Sequence, residues 1–230
     1  MKDKTKKILL WLLDIIINVA IIFVLVIVIQ KWIVAPFDVS GASMCDTLNF
    51  IDGECTNGYG EKIIINEASY AFGEPERGEI VVFNPPGDDP DKYYIKRVIG
   101  LPGETIEIKD GKVYITKVGS AESLELNEEY LNDQNRNHTE LHLSDFSIFQ
   151  VPEGHYFLLG DNRHASTDSR SCFEGSYNLD CKNHPENAFV AKEKIRGKTW
   201  IVWWPLSSIR TIKHHAYEID QTNSESLEEK

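Results

Sequence analysis

Tyr93-Tyr94-Ile95-Lys96-Arg97-Val98-Ile99-Gly100-Leu101-Pro102-Gly103-Glu104-Thr105-Ile106-Glu107-Ile108-Lys109-Asp110-Gly111-Lys112-Val113-Tyr114-Ile115-Thr116 reads as three β-strands in succession. β-Branched and aromatic residues alternate with polar ones, the period of a half-buried strand. Leu101-Pro102-Gly103 separates the first run from the second. Asp110-Gly111 between two alternating runs is a strong hairpin signal, because both residues tolerate the turn's positive φ. The same pattern recurs at Lys62–Asn66, Glu79–Phe83, His155–Leu159 and Lys198–Trp204, with Pro85-Pro86-Gly87 as a further breaker. No segment from Phe37 to Pro205 sustains a helical period, so this part of the chain is mostly β. Ser120–Gln150, richer in Glu, Asn and His, reads as an irregular or helical excursion within an inserted smaller lobe at about 105–152.

Upstream the character changes. Ile8–Ile29 is an apolar run in which only Asp14 and Asn18 are strongly polar. A helix needs about 20 mostly apolar residues to cross the hydrocarbon core, so residues 8–30 are expected to span a membrane. Lys2, Lys4, Lys6 and Lys7 precede the run and only Lys31 closely follows it. That asymmetry puts a tail of residues 1–7 in the cytoplasm and the domain at 31–205 outside, with Trp32 at the outer interface. The run exceeds a signal-peptide core, and Ile33-Val34-Ala35 before Pro36 is a poor cleavage site, so the anchor is expected to stay attached. Residues 206–230 read as a C-terminal tail, with a short amphipathic piece first and disorder beyond Asp220.

A formal net charge of −12 argues against a nucleic-acid partner, which needs a surplus of Lys and Arg. The four cysteines form no C-x-x-C pair and the histidines have no tight ligand spacing, so neither a metal nor a cofactor is expected. Outside the cytoplasm, Cys172 and Cys181 are close enough in sequence to bridge. Cys45 either bridges to Cys55 or packs as a small apolar residue.

Ser43 lies in Ser40-Gly41-Ala42-Ser43-Met44-Cys45-Asp46-Thr47-Leu48, among small residues that let a peptide backbone approach. It is either an ordinary turn serine or a nucleophile. A nucleophile needs a base. His138, His142, His164, His184, His214 and His215 sit in polar contexts, and His155 heads a strand without further signature. Lys96 is the better candidate. Alternation puts it between Tyr94 and Val98 on one face, where burial would favour the neutral amine. Otherwise it snorkels to water. A third polar stretch, Gly160 to Arg170, follows the apolar run Tyr156–Leu159; Asp168 and Arg170 can pair there, and Ser166 can hold a lysine amine.

Together these stretches resemble the bacterial type I signal peptidases. Ser43-Met44-Cys45-Asp46-Thr47-Leu48 is similar to the family's Ser-Met-x-Pro-Thr-Leu. Gly78–Phe83 is similar to its Gly-Asp-Ile-Val-Val-Phe, and Tyr94–Glu104 to its lysine box. Gly160-Asp161-Asn162-Arg163 with Ser166, Asp168, Ser169 and Arg170 completes the set in the family order. The resemblance implies a signal-peptidase-like β domain behind its membrane helix, a Ser43 nucleophile and a Lys96 general base. It implies that Ser166 orients the lysine while Asp161, Arg163, Asp168 and Arg170 brace the loop. Phe37, Val39, Met44, Leu48, Val82, Tyr94 and Ile95 would line a groove for Ala-like side chains of signal-peptide-bearing preproteins. The Ser43 N–H would be one oxyanion donor. Gly41 stands where some members carry a second, hydroxyl donor, with Ser40 as a distant substitute. Asp46 replaces the family proline. Trp200, Trp203 and Trp204 would meet membrane lipid or pack in the core, and a monomer is expected. Two rivals remain: a related autoprotease attached to a regulator, and a silent β domain that binds exported chains.

Overall fold

The computed structural model describes residues 2–32, 34–45, 47–141, 147–173 and 180–220. Asp46, His142, the side chain of Trp32 and everything past Asp220 lie outside the described residues, and with them the readings made there. The apolar run forms helix α1 (Lys2–Trp32), whose stretch Lys6–Ile27 is long and apolar enough to cross a membrane. Within that stretch the leucines, isoleucines and Trp11 are exposed among the described residues. A helix apolar on every side is stable only where its whole surface leaves water.

Beyond α1 the chain is a β domain. In chain order its strands are β1 (Val34–Ser40), β2 (Phe50–Ile51), β3 (Glu54–Cys55), β4 (Tyr59–Asn66), β5 (Ile80–Phe83), β6 (Tyr94–Gly100) and β7 (Thr105–Lys109). There follow β8 (Lys112–Thr116), β9 (Ser123–Glu125), β10 (Ile148–Gln150), β11 (His155–Leu159), β12 (Val190–Ala191), β13 (Ile195–Trp204) and β14 (Arg210–Thr211). Among the described residues the main sheet runs β1-β4-β13-β5-β6-β11-β12, with β14 added on β13, and its strand pairs are antiparallel. β1 and β6 are four places apart in that order. Yet Phe37 before the end of β1 meets Tyr93 before β6 edge to face, ring centroids 5.4 Å apart. The sheet therefore curls until those two strands face each other.

A second sheet, β10-β7-β8-β9, is built on the Asp110-Gly111 hairpin, with Lys109 opposite Lys112 and Asp110 at φ +52°. Its inward residues Ile106, Ile108, Val113 and Ile115 share a core with Phe149, Phe157 and Leu159. Ser120–Gln150 contains β9, turns and β10, with no helix among its described residues. A second core, Val39, Met44, Leu48, Ile63, Ile65, Ile80, Val82 and Val202, fills the curl of the main sheet behind β1.

Residues 206–220, the first part of what the sequence reads as a C-terminal tail, pack on the domain. Arg210 and Thr211 pair with Val202 and Ile201, Ile212 and Tyr217 are buried, and Asp220 bonds Arg77. Where the sequence predicts a short amphipathic piece, Leu206–Ser208 forms one 3-10 turn and Arg210–Thr211 adds to the free stretch of β13 as a strand. Trp200, Trp203 and Trp204 are all partly exposed, so none packs in the core. Two disulfides are present, Cys172–Cys181 and Cys45–Cys55. Cys45, for which bridging and burial were alternatives, does both.

Candidate active site

Ser43 opens the turn that follows β1, and Lys96 is the third residue of β6. The curl of the sheet brings them together: Lys96 Nζ lies 2.8 Å from Ser43 Oγ. The amine also donates to the Ile95 carbonyl at 2.9 Å and sits 5.4 Å from the centre of the Tyr94 ring. Lys96 is 3% exposed, so it does not snorkel. Loss of hydration pushes its pKa down to about 8, against the opposing pull of Asp168 and Asp161. About a tenth of the molecules thus carry a neutral amine at pH 7. In that form the serine hydroxyl donates to the nitrogen, the arrangement of a nucleophile with its base.

Opposite the pair runs Gly160–Arg170. Asn162 N–H donates to the Ser43 carbonyl at 3.1 Å and its amide to the Ala42 carbonyl at 3.1 Å. A Cβ on Gly160 would stand 2.1 Å from Ser166 Oγ and 2.5 Å from the Ser43 carbonyl oxygen, so only glycine lets the two loops meet. Asp161 takes a fork from Arg97, at 2.9 and 2.6 Å, and a 2.5 Å hydrogen bond from Thr47 Oγ1. Arg163 forks onto Glu128 and donates to the Gly160 carbonyl at 3.1 Å. Asp168 is forked by Arg170 at 2.9 and 2.8 Å and accepts Gly160 N–H at 3.0 Å. Burial works against that carboxylate, but the guanidinium and the backbone donor hold its pKa at about 2. Ser166 is buried within this loop, and its Oγ has no hydrogen-bond partner among the described residues. The sequence reading has it holding Lys96; no such bond is formed in this geometry.

A cleft of about 500 Å³ passes over Ser43 and Lys96, lined among others by Phe37, Val39, Gly41, Met44, Tyr94, Ile95 and Thr167. Five of the seven groove residues expected from the sequence are there. Leu48 and Val82 are not: both are fully buried in the core behind β1. They support the wall rather than form it, because the curl turns their faces inward. The cleft has a free strand edge on each side. Among the described residues β1 pairs only with β4, and β6 meets β11 only from Arg97 onward, leaving that edge of Tyr94–Lys96 open. Ser43 N–H makes no hydrogen bond among the described residues, and exposed Ser40 is drawn into the β1–β4 pairing opposite Tyr59. Among the described residues no cluster of His, Cys, Asp and Glu could hold a metal.

Residues 12–204 match the family of signal peptidases, peptidase S26. The chain belongs to that family. Signal peptidase I T of Bacillus subtilis is 32% identical over 92% of this chain and 93% of its own. Signal peptidase I S of the same organism is 34% identical over 90% and 95%. A crystal structure of a signal peptidase I from Enterococcus faecalis is 34% identical, covers 55% of this chain and 97% of its own, and has a TM-score of 0.38. As a member of this family the chain is a serine endopeptidase.

Several residues of the signal peptidase site escape a reading of the boxes. Arg97 has no role in the boxes, although an arginine among apolar strand residues signals a buried counter-ion. Asn162 and Gly160 stand inside a quoted box without a role. Thr47 joins two loops through its hydroxyl, which sequence spacing does not reveal.

Proposed function

We propose that this protein is a membrane-anchored endopeptidase that removes N-terminal signal peptides from exported preproteins, with Ser43 as nucleophile and Lys96 as general base. The observation that carries the proposal is the buried amine 2.8 Å from the serine hydroxyl, at the floor of an open-edged cleft. Neutral Lys96 takes the Ser43 proton as Oγ attacks the scissile carbonyl, and gives it to the departing amine as the ester forms. A water then attacks the ester, again deprotonated by Lys96, and the serine is restored. Ser43 N–H makes no hydrogen bond among the described residues, which suits an oxyanion donor. An extended peptide can hydrogen-bond to the free edges of β1 and β6, so that alternate side chains enter one wall. Phe37, Val39, Met44 and Ile95 give the cleft an apolar lining, which suits small apolar side chains. Asp161, Arg163, Asp168 and Arg170 act through the loop they brace.

The organisation that goes with this chemistry has residues 1–7 inside, 8–30 in the membrane and the β domain outside, with its lobe at about 105–152. Trp200, Trp203 and Trp204, exposed on β13, suit the headgroup region. The dyad is complete within one chain, so a monomer suffices. The test is processing of a preprotein with an Ala-x-Ala site by the detergent-solubilised protein, with the product's N-terminus read by mass spectrometry. Cleavage after the second Ala, lost in Ser43→Ala and Lys96→Ala, is the expected result. An inert wild type, or a Lys96→Ala variant of full activity, overturns the reading.

A further inference from the structure

Ser43 is held from a direction that none of the four boxes supplies. Its turn has two feet, Val39–Gly41 before it and Thr47 after it. Asn49, buried at φ +58°, secures the first foot: its amide nitrogen donates to the carbonyls of Val39 at 3.2 Å and Gly41 at 3.0 Å. Asn49 is fixed in turn by Glu61, whose N–H donates to the amide oxygen at 2.8 Å and whose carboxylate accepts Asn49 N–H at 3.0 Å. A Cβ on Gly60 would come within 2.7 Å of that amide oxygen, so the approach is tight. Glu61 is fully buried, and among the described residues its one cation is Arg210 on β14. Arg210 forks onto it at 2.5 and 2.9 Å. The same guanidinium donates to the Thr47 carbonyl at 2.8 Å, the second foot.

We propose that Arg210 is a positioning residue for the nucleophile, and that β14 is part of the active-site architecture rather than a tail. One planar cation joins both feet of the Ser43 turn, the first through Glu61 and Asn49, the second directly. Thr47 is thereby pinned at its carbonyl by Arg210 and at its hydroxyl by Asp161, which is locked to β6 through Arg97. The height of Ser43 Oγ over Lys96 Nζ then depends on a residue in the chain's last described strand. A planar fork is required, because a lysine ammonium neutralises Glu61 without holding Thr47 in the same plane. The inference rests on the Ser43–Lys96 reading above.

The test uses the full chain in detergent, with Ser43→Ala as the control for that reading. If wild type cleaves and Ser43→Ala does not, the reading stands and Arg210 is tested separately. Two variants are compared, Arg210→Lys and the double variant Glu61→Gln/Arg210→Met, which leaves no unpaired buried charge. Each is expected to keep KM within about twofold and the pH–rate midpoint of wild type while kcat falls about tenfold. Their thermal midpoints are measured alongside, since loss of folded protein would lower apparent kcat in proportion to the folded fraction. Wild-type kcat in both variants, or a fall in kcat fully accounted for by the folded fraction, overturns the proposal. Should the double variant fail to fold, Arg210→Lys decides alone.

Discussion

Lys96 and Arg97 are neighbours on β6, leave it on opposite faces, and are both buried, at 3% and 1% exposure. Their charges meet opposite treatment. Arg97 lies in a fork of Asp161, donates to the Gly78 carbonyl at 2.7 Å and stacks 4.0 Å from the Tyr130 ring centre. Burial alone would weaken its hold on a proton, but the Asp161 contact outweighs that and raises its pKa. Lys96 meets a serine hydroxyl and donates to one carbonyl, with no carboxylate in contact among the described residues, and its pKa falls. Arg77 with Glu104, Arg163 with Glu128 and Arg170 with Asp168 follow the Arg97 pattern. Among the described residues four buried guanidiniums are paired with carboxylates and one buried amine is not, and it is the one beside a serine. The contrast separates charges that hold the domain together from the one to which we assign the chemistry proposed above.

The largest effect should come from breaking the compensated side. Arg97→Met strands the Asp161 carboxylate in the interior, and removal of one partner of a buried pair costs about 3–5 kcal/mol. A steep drop in the thermal midpoint of the detergent-solubilised protein is expected, with activity lost as Thr47 is released. An unchanged midpoint would mean that Arg97 is no better placed than Lys96.

The uncompensated side should respond with the opposite sign. Lys96 is charged at pH 7 in both folded and unfolded chains, but its folded pKa of about 8 lies below the ordinary 10.5. The folded state therefore carries a penalty of up to roughly 3 kcal/mol at pH 7, which is full below pH 8 and fades as pH rises toward 10.5. Lys96→Met should abolish cleavage yet raise the thermal midpoint at pH 7, and the gain should shrink at pH 10. In wild type, kcat/KM should rise with pH to a plateau with a midpoint near 8. A destabilised Lys96→Met protein at pH 7 would erase the distinction between the two faces.

The smallest effect sharpens the comparison at the loop. Asp168 has its pKa held at about 2 against an ordinary 3.8. A carboxylate lowered in this way stabilises the fold above pH 3.8, and that contribution is lost as pH falls through about 2. The gap in stability between wild type and Asp168→Asn should narrow by roughly 2 kcal/mol between pH 5 and pH 2, read from thermal midpoints. A gap that stays constant with pH would show that Arg170 is held by shape rather than charge.

Much of this was legible in one dimension because it depends on periods of two and on turn chemistry. The alternation around Lys96, the Asp110-Gly111 hairpin and the apolar run of α1 each declare themselves within a few residues. Ser43, Lys96 and the Gly160–Arg170 loop stand out in the sequence as an ordered set that resembles the signal peptidase family, since each stretch alone also reads as an ordinary turn, strand or loop. Leu48 and Val82 were placed in the groove and lie in the core, because which face of a curled sheet points inward depends on the curl. Arg97's partner and the role of Arg210 depend on contacts across 64 and up to 163 residues of chain, for which local sequence carries no signal.

The sequence by itself thus determined the strands and the apolar helix, since those follow from local backbone preference, while its ordered boxes marked the candidate residues by their resemblance to a family. Only the tertiary structure decided that Lys96 is buried without a counter-ion while Arg97 has one, and that a strand beyond the last box reaches back to the serine turn. Burial and charge pairing are properties of the space between distant segments, and that space exists only once the sheet has closed on itself.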